Sequence, residues 1–212
     1  VVFIANPNNP TGTWVDETAL RAFLDRVPRD VIVVVDEAYT EYARPLGAPD
    51  ASIWLASHEN LVVSRTFSKA YGLAGIRVGY MLSSPAIADL LNRIRQPFNV
   101  NQLAMVGAEA ALGDVAFIER SVRENAAGRR QLEAGLADFG LSVPPSAGNF
   151  VLVNLERDAA PINEALLRAG VIVRPVANYG LPQHLRITVG TDVQNERLLA
   201  ALGAALNPAS RA

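Results

Sequence analysis

Two kinds of apolar pattern alternate along the chain. Short continuous runs rich in β-branched residues, 1–5 (VVFIA) and 31–35 (VIVVV), read as strands covered on both faces, the pattern of a parallel sheet. A third run starts at 61–63 and leads to Lys69, and a fourth spans 77–82. Between the first two, Asp16 opens a helical pattern with Ala19, Leu20, Phe23, Leu24 and Val27 on one face, and Pro28 ends it. The segment 6–12 (NPNNPTG) suits neither helix nor central strand. A polar, proline-containing loop follows Asp36 and Glu37, through Tyr39, Tyr42 and Pro45. Strand, helix and strand alternate, which predicts an α/β fold with a largely parallel sheet.

The pattern changes in the second half. Pro85 starts a helix over 86–95 that Pro97 stops. From Asn101 a long helical stretch runs to about Phe139, broken near Gly113-Asp114. Its charges, Glu119, Arg120, Arg123, Glu124, Arg129 and Arg130, read as a solvated face. After Gly140, short strands at 149–153, 171–173 and 184–189 alternate with a helix at 161–169, and Thr191-x-x-Gln194 makes a capping box for a final helix. Two domains are expected: residues 1–98, part of a large α/β domain, and residues 99–212, a long helix leading into a smaller α+β domain. No internal repeat or low-complexity segment interrupts them.

Composition narrows the function classes. A net charge of -2 without a basic stripe gives no support for nucleic-acid binding. The absence of cysteine excludes disulfides, thiolate metal sites and thiol nucleophiles. No apolar run approaches the roughly 20 residues of a membrane span, and no signal-peptide pattern is present, so a cytoplasmic protein is expected. His58 and His184 lack partners at metal-ligand spacing and read as surface or loop residues, with no metal site expected. Gly72, Gly75 and Gly79 follow a lysine and precede a strand, the wrong context for a dinucleotide fingerprint. The chain starts without methionine inside an apolar run, which reads as a strand already under way and a piece of a longer chain.

Candidate chemistry gathers where strands end. The first run leads to Asn6–Pro10, the second to Asp36 and the third to Lys69. In open parallel sheets the ligand crevice lies beyond the carboxyl ends of the strands. The groups collected there suit a pyridine ring carrying an aldehyde, a phenolic oxygen and a phosphate. The aldehyde requires an amine that gives up its proton, which desolvation favours, and Lys69 lies between apolar runs. A protonated ring nitrogen requires a buried carboxylate, and Asp36 closes an apolar strand. Asn9 and Tyr39 supply neutral donors for the phenolic oxygen, and Arg77, Thr66 and Ser68 supply a cation and hydroxyls for the phosphate. Plainer readings compete: Asn-Pro is a common turn pair, the tyrosines suit packing, and the hydroxyls suit backbone caps.

NPNNPTG, DEAY and SRTFSKAYGLAGIRVGY, in this order, resemble the fold-type I pyridoxal-phosphate enzymes of the class I/II aminotransferase group. With the tail segment RPVANYGLPQHLRITVGT, the chain is most similar to the histidinol-phosphate branch, over essentially its whole length and matched to the C-terminal portion of a family member. The resemblance implies the fold-type I architecture, with a mostly parallel large domain and a smaller α+β domain. It makes Lys69 the Schiff-base lysine, pairs Asp36 with the ring nitrogen, and places Asn9 and Tyr39 on the phenolic oxygen, with Lys69, Asp36 and Tyr39 as the catalytic set. Thr66, Ser68 and Arg77 would hold the phosphate of pyridoxal 5'-phosphate, and Arg186 and Arg174 would bind the anionic parts of the substrates. The Asn9-Pro10 bond is expected to be cis on the same ground. The implied activity is transamination between histidinol phosphate and 2-oxoglutarate in histidine biosynthesis, by a homodimer with a shared site. An aromatic or aspartate aminotransferase is the nearest alternative. A non-catalytic pyridoxal-phosphate-sensing domain of a transcription regulator is the alternative of another class. The family's phosphate-cradling loop, ring-stacking aromatic and partner-subunit tyrosine have no counterpart in these residues.

Overall fold

A computed structural model describes residues 1–207. They form two compact units, one of residues 1–8 and 14–122, the other of residues 9–13 and 123 onward.

In the first unit, strands β1 (Val2–Ala5), β2 (Val33–Asp36), β3 (Leu61–Thr66) and β4 (Gly79–Ser83) form one sheet in that order. β1, β2 and β3 run parallel, in a register that aligns Ala5, Asp36 and Ser64. β4 is antiparallel to β3. The connection between them carries no crossover helix, only a loop closed on itself by Phe67 N–H donating to Val78 O and Leu73 N–H donating to Phe67 O. Helix α1 (Glu17–Arg26) starts where the pattern predicts, with Asp16 accepting from Ala19 N–H. Its Leu20 and Leu24 pack with Val33, Val35, Leu61, Val63, Ala51 and Trp54.

Only that face of the sheet is packed throughout. The expectation of strands covered on both faces is corrected on the other face, where Phe3 is 77% and Met81 57% exposed. α1 and the turn at Ala51–Trp54 both fall on one side, so among the described residues the opposite face stays open around β1 and β4. The expected loop after Glu37 contains a short helix, α2 (Thr40–Ala43), which buries Tyr42 and Ala43.

Helices α3 (Pro85–Ile94), α4 (Gln102–Gly113) and α5 (Val115–Asp138) follow. The break at Gly113-Asp114 stands where expected, since Asp114 turns its carboxylate to Phe117 N–H and restarts the helix. Five of the six charges assigned to a solvated face are exposed. Arg129 is the correction: it is buried, with Nε 3.4 Å from Glu133 one turn on. A long arginine stem covers apolar surface where its head keeps a carboxylate partner.

In the second unit, β5 (Phe150–Asn154), β7 (Leu181–Thr188) and β6 (Arg174–Val176) form an antiparallel sheet in the order β5-β7-β6. Helix α6 (Ala159–Arg168), helix α7 (Asp192–Leu206) and the C-terminal half of α5 supply Ile162, Leu166, Leu198, Leu202, Leu132 and Leu136 to a core with Val151, Val153, Leu185 and Ile187. The strand expected at 171–173 lies at 174–176 instead, because the chain leaves α6 through Gly170 at φ +72° and pairs with β7 only from Arg174. Both halves of the Thr191–Gln194 capping box are present.

Two histidine expectations also change. His58 lies in a loop but is buried, its Nε2 3.0 Å from Asp25 Oδ1 and its Nδ1 2.9 Å from Ser57 Oγ. His184 lies within β7, half-buried, with no hydrogen-bond partner on Nδ1.

Candidate active site

β2 ends at Asp36, whose side chain stands on the open face of the first sheet. Its Oδ1 accepts from Ser64 Oγ and from Ala38 N–H, both at 3.2 Å, which leaves Oδ2 for a ligand. The expectation of a buried carboxylate here is corrected, because Asp36 is exposed. The buried one is its neighbour Glu37, 2% exposed, since consecutive strand residues point to opposite faces. Glu37 accepts from Arg65 Nε at 2.9 Å, from Arg65 Nη2 at 2.7 Å and from Ala51 N–H at 2.6 Å. Glu37 and Arg65 were not among the expected site residues. The one signal in the sequence is the Asp-Glu pair itself, which at a strand end must send one carboxylate inward.

β3 delivers Thr66, Ser68 and Lys69. Lys69 is the only lysine among the 212 residues. It is half-buried, with Nζ 5.4 Å from the centre of the buried Tyr39 ring. Gly72, at φ +71°, donates its N–H to Lys69 O at 2.9 Å and closes the turn that presents the lysine. Phe67 packs beneath, its ring 4.9 Å from Tyr71 and 5.7 Å from Tyr80.

Thr66 Oγ1 accepts from Ser68 N–H at 3.0 Å, so this hydroxyl does cap backbone. Ser68 Oγ in turn accepts from Arg77 Nη1 at 3.4 Å, and the same nitrogen donates to Ala74 O at 2.9 Å. Arg77 takes a left-handed backbone, φ 56° and ψ 60°, which costs a non-glycine residue about 1–2 kcal/mol. That conformation aims an exposed guanidinium back at the hydroxyls. Amine, carboxylate, phenol and a cation–hydroxyl cluster therefore lie together at the β2 and β3 ends, a donor set that fits an aldehyde-bearing pyridine phosphate.

Asn9, Arg174 and Arg186 belong to the second unit. Arg186, on β7, donates from Nη1 to Asn9 Oδ1 at 2.7 Å. Its guanidinium lies 5.0 Å from the Phe150 ring centre, and its Nε is buried with no hydrogen-bond partner. Arg174 is paired across from it in register, on β6. Both line a cavity of about 590 Å³ with Ile172, Val173, Pro175 and Thr188. Asn9 thus spends its carbonyl on Arg186, and its amide N–H₂ remains for a ligand oxygen. The Asn9-Pro10 bond is cis, as is Asn6-Pro7.

Glu41 is half-buried near the Glu37–Arg65 pair, with its Oε2 buried and unpartnered. Burial pushes its carboxyl above the ordinary range, against the pull of its own backbone N–H and of Arg65 and Arg44. A group raised in this way adds stability below its unfolded value and loses it as pH rises through its folded value. Glu41→Gln should therefore raise the melting temperature at about pH 7 and leave it nearly unchanged at about pH 4. An equal change at both pH values would contradict the assignment.

A family model described as "Aminotransferase class I and II" matches residues 1–202. The chain belongs to the class I and II aminotransferases. The chain is 61% identical to histidinol-phosphate aminotransferase 2 of Pseudomonas fluorescens, over 97% of this chain and 56% of that protein. It is 59% identical to the protein of the same name from Pseudomonas aeruginosa, again over 97% of this chain and 56% of the relative. The crystal structure of histidinol-phosphate aminotransferase from Sinorhizobium meliloti, in complex with pyridoxal-5'-phosphate, superposes with a TM-score of 0.90 at 36% identity, covering 98% of this chain and 57% of that one. The chain spans a little over half the length of the relatives it matches. The α/β architecture is thus that of these aminotransferases. Among the described residues no helix is long and apolar enough to cross a membrane.

Proposed function

We propose that this chain forms part of a pyridoxal-phosphate-dependent histidinol-phosphate aminotransferase with 2-oxoglutarate as acceptor. One observation carries the reading most: the sole lysine stands at the end of β3 beside Tyr39, next to the strand end that presents Asp36. The names of the relatives support the choice of amino donor. Residues 1–98 then form part of the cofactor-binding domain, and residues 99–212 the interdomain helix and small domain. The assembled protein is a cytoplasmic homodimer. Exposed apolar side chains at Leu90, Ile94, Phe98, Leu103 and Val106 leave surface for such burial.

When bound, pyridoxal phosphate supplies an aldehyde that condenses with amines and a ring that draws electrons from the substrate α-carbon. Lys69 Nζ would hold the aldehyde carbon and, as a neutral amine, would serve as the base for the substrate α-proton. Asp36 Oδ2 would keep a proton on the ring nitrogen. Tyr39 and the Asn9 amide would each serve as a neutral donor for the phenolic oxygen. Thr66, Ser68 and Arg77 bind the phosphate, with Arg77 already turned toward Ser68. Arg186, held by Asn9, orients one substrate anion, and Arg174 gives the same site a second cation. Two cations suit a site that takes a phosphate monoester in one half-reaction and a dicarboxylate in the other.

The test is a panel of amino donors on the complete enzyme. Histidinol phosphate should give a higher kcat/KM than phenylalanine or aspartate, and Arg174→Ala should lower kcat/KM for it by about 10- to 100-fold, mostly through KM. Preference for an aromatic donor or aspartate would replace the substrate assignment. Cofactor binding without turnover of any donor would favour the sensing module.

A further inference from the structure

We infer that Glu37 and Arg65 are positioning residues for the cofactor: their buried ion pair, on the closed face of the first sheet, sets the placement of Asp36 relative to Thr66, Ser68 and Lys69. The inference rests on the cofactor role proposed for those four residues.

Successive side chains of a strand point to opposite faces of the sheet. Asp36 and Glu37 are consecutive, and so are Ser64, Arg65 and Thr66. Asp36, Ser64 and Thr66 share the open face, so Glu37 and Arg65 emerge behind them. Front and back are joined at the same step of the ladder. Ser64 Oγ donates to Asp36 in front, Glu37 N–H donates to Ser64 O within the sheet, and Arg65 grips Glu37 behind.

The grip is tightly constrained. Three donors hold the Glu37 carboxylate, and its side chain is 1% exposed. Arg65 Nη2 reaches on to Asp50 and, at 3.3 Å, to Ser52 Oγ, while Arg44 holds Asp50 from the outer side. Asp50 also caps the turn at Ala51–Trp54, whose Ala51 N–H is one of the three donors. A single polar network thus links the β2 end, the β3 end and the turn packed beneath them. Stability alone does not call for such an arrangement, because well-packed apolar residues of similar volume often serve as well as a buried ion pair. Charged partners with one satisfied geometry do define the relative placement of the strands that carry them. A displacement on the order of 1 Å at a reacting group can cost about 100-fold in rate.

The experiment uses the complete enzyme loaded with pyridoxal phosphate and compares Arg65→Lys, Glu37→Gln and Asp50→Asn with the unsubstituted protein. The readouts are visible circular dichroism per bound cofactor, cofactor dissociation constant, and kcat and KM for the amino donor. Arg65→Lys and Glu37→Gln should each weaken the visible dichroism and lower kcat by about tenfold or more, with KM within about twofold. Arg65→Lys keeps the charge and loses the planar fork, so it should not rescue. Asp50→Asn leaves the Glu37–Arg65 contacts in place and should shift dichroism and kcat in the same direction, by about two- to threefold. Normal dichroism and kcat, with only a lower melting temperature, would overturn the inference. If Arg65→Lys and Glu37→Gln do not fold, unchanged dichroism and kcat in Asp50→Asn overturn it equally. A failure of the functional reading looks different: the unsubstituted enzyme itself would then show no visible cofactor signal or no turnover.

Discussion

Lys69→Ala should remove the covalent attachment of pyridoxal phosphate and cut transamination by about 10⁴-fold or more in the complete enzyme. Two losses combine in this one substitution. The amine proposed to hold the aldehyde disappears, and so does the proposed base for the α-proton. No other lysine stands among these 212 residues to replace it. Tyr39, whose ring lies beside Nζ, is a phenol and cannot form the bond. The fold should survive, since Lys69 is half-buried in a turn closed by the backbone bond from Gly72 N–H. The checks are the visible absorbance of the bound cofactor and single-turnover kinetics with the amino donor. Turnover at the unsubstituted rate would refute the role.

Asp36→Asn should leave cofactor binding partly intact and slow α-proton removal by about 10²- to 10³-fold. The substitution is nearly isosteric, and the amide oxygen still accepts from Ser64 Oγ and Ala38 N–H. What is lost is the negative charge at Oδ2, and with it the proposed hold on the ring-nitrogen proton. A primary isotope effect with α-deuterated donor should rise as proton removal becomes rate-limiting. An unchanged rate would remove Asp36 from this position.

Much of this was legible in the sequence, for identifiable reasons. The runs VVFIA and VIVVV and the stretch leading to Lys69 became strands β1, β2 and β3 because continuous β-branched segments have no amphipathic helical alternative. α1 and α7 begin at Asp16 and Thr191, where side-chain capping is a strictly local matter. The cluster of Thr66, Ser68 and Arg77 was readable because the three lie close in sequence, at the end of β3 and in the loop after it.

The misses share a different cause, dependence on partners distant in sequence. Whether Asp36 or Glu37 is buried follows from which face α1 covers, and a run of apolar residues carries no sign of that. The buried His58 finds its partner in Asp25, on α1 and distant in sequence. That β4 would run antiparallel depends on how the loop between it and β3 closes. The link from Asn9 to Arg186 spans most of the chain, and spacing gave no hint of it.

The central claim is that Lys69 Nζ carries the cofactor. It is tested most directly by reducing the loaded enzyme with borohydride, digesting it, and locating the pyridoxyl group by mass spectrometry. The expected result is a single modified peptide containing Lys69. Bound cofactor with Lys69 unmodified, or a pyridoxyl group on an amine elsewhere in the protein, would contradict the account.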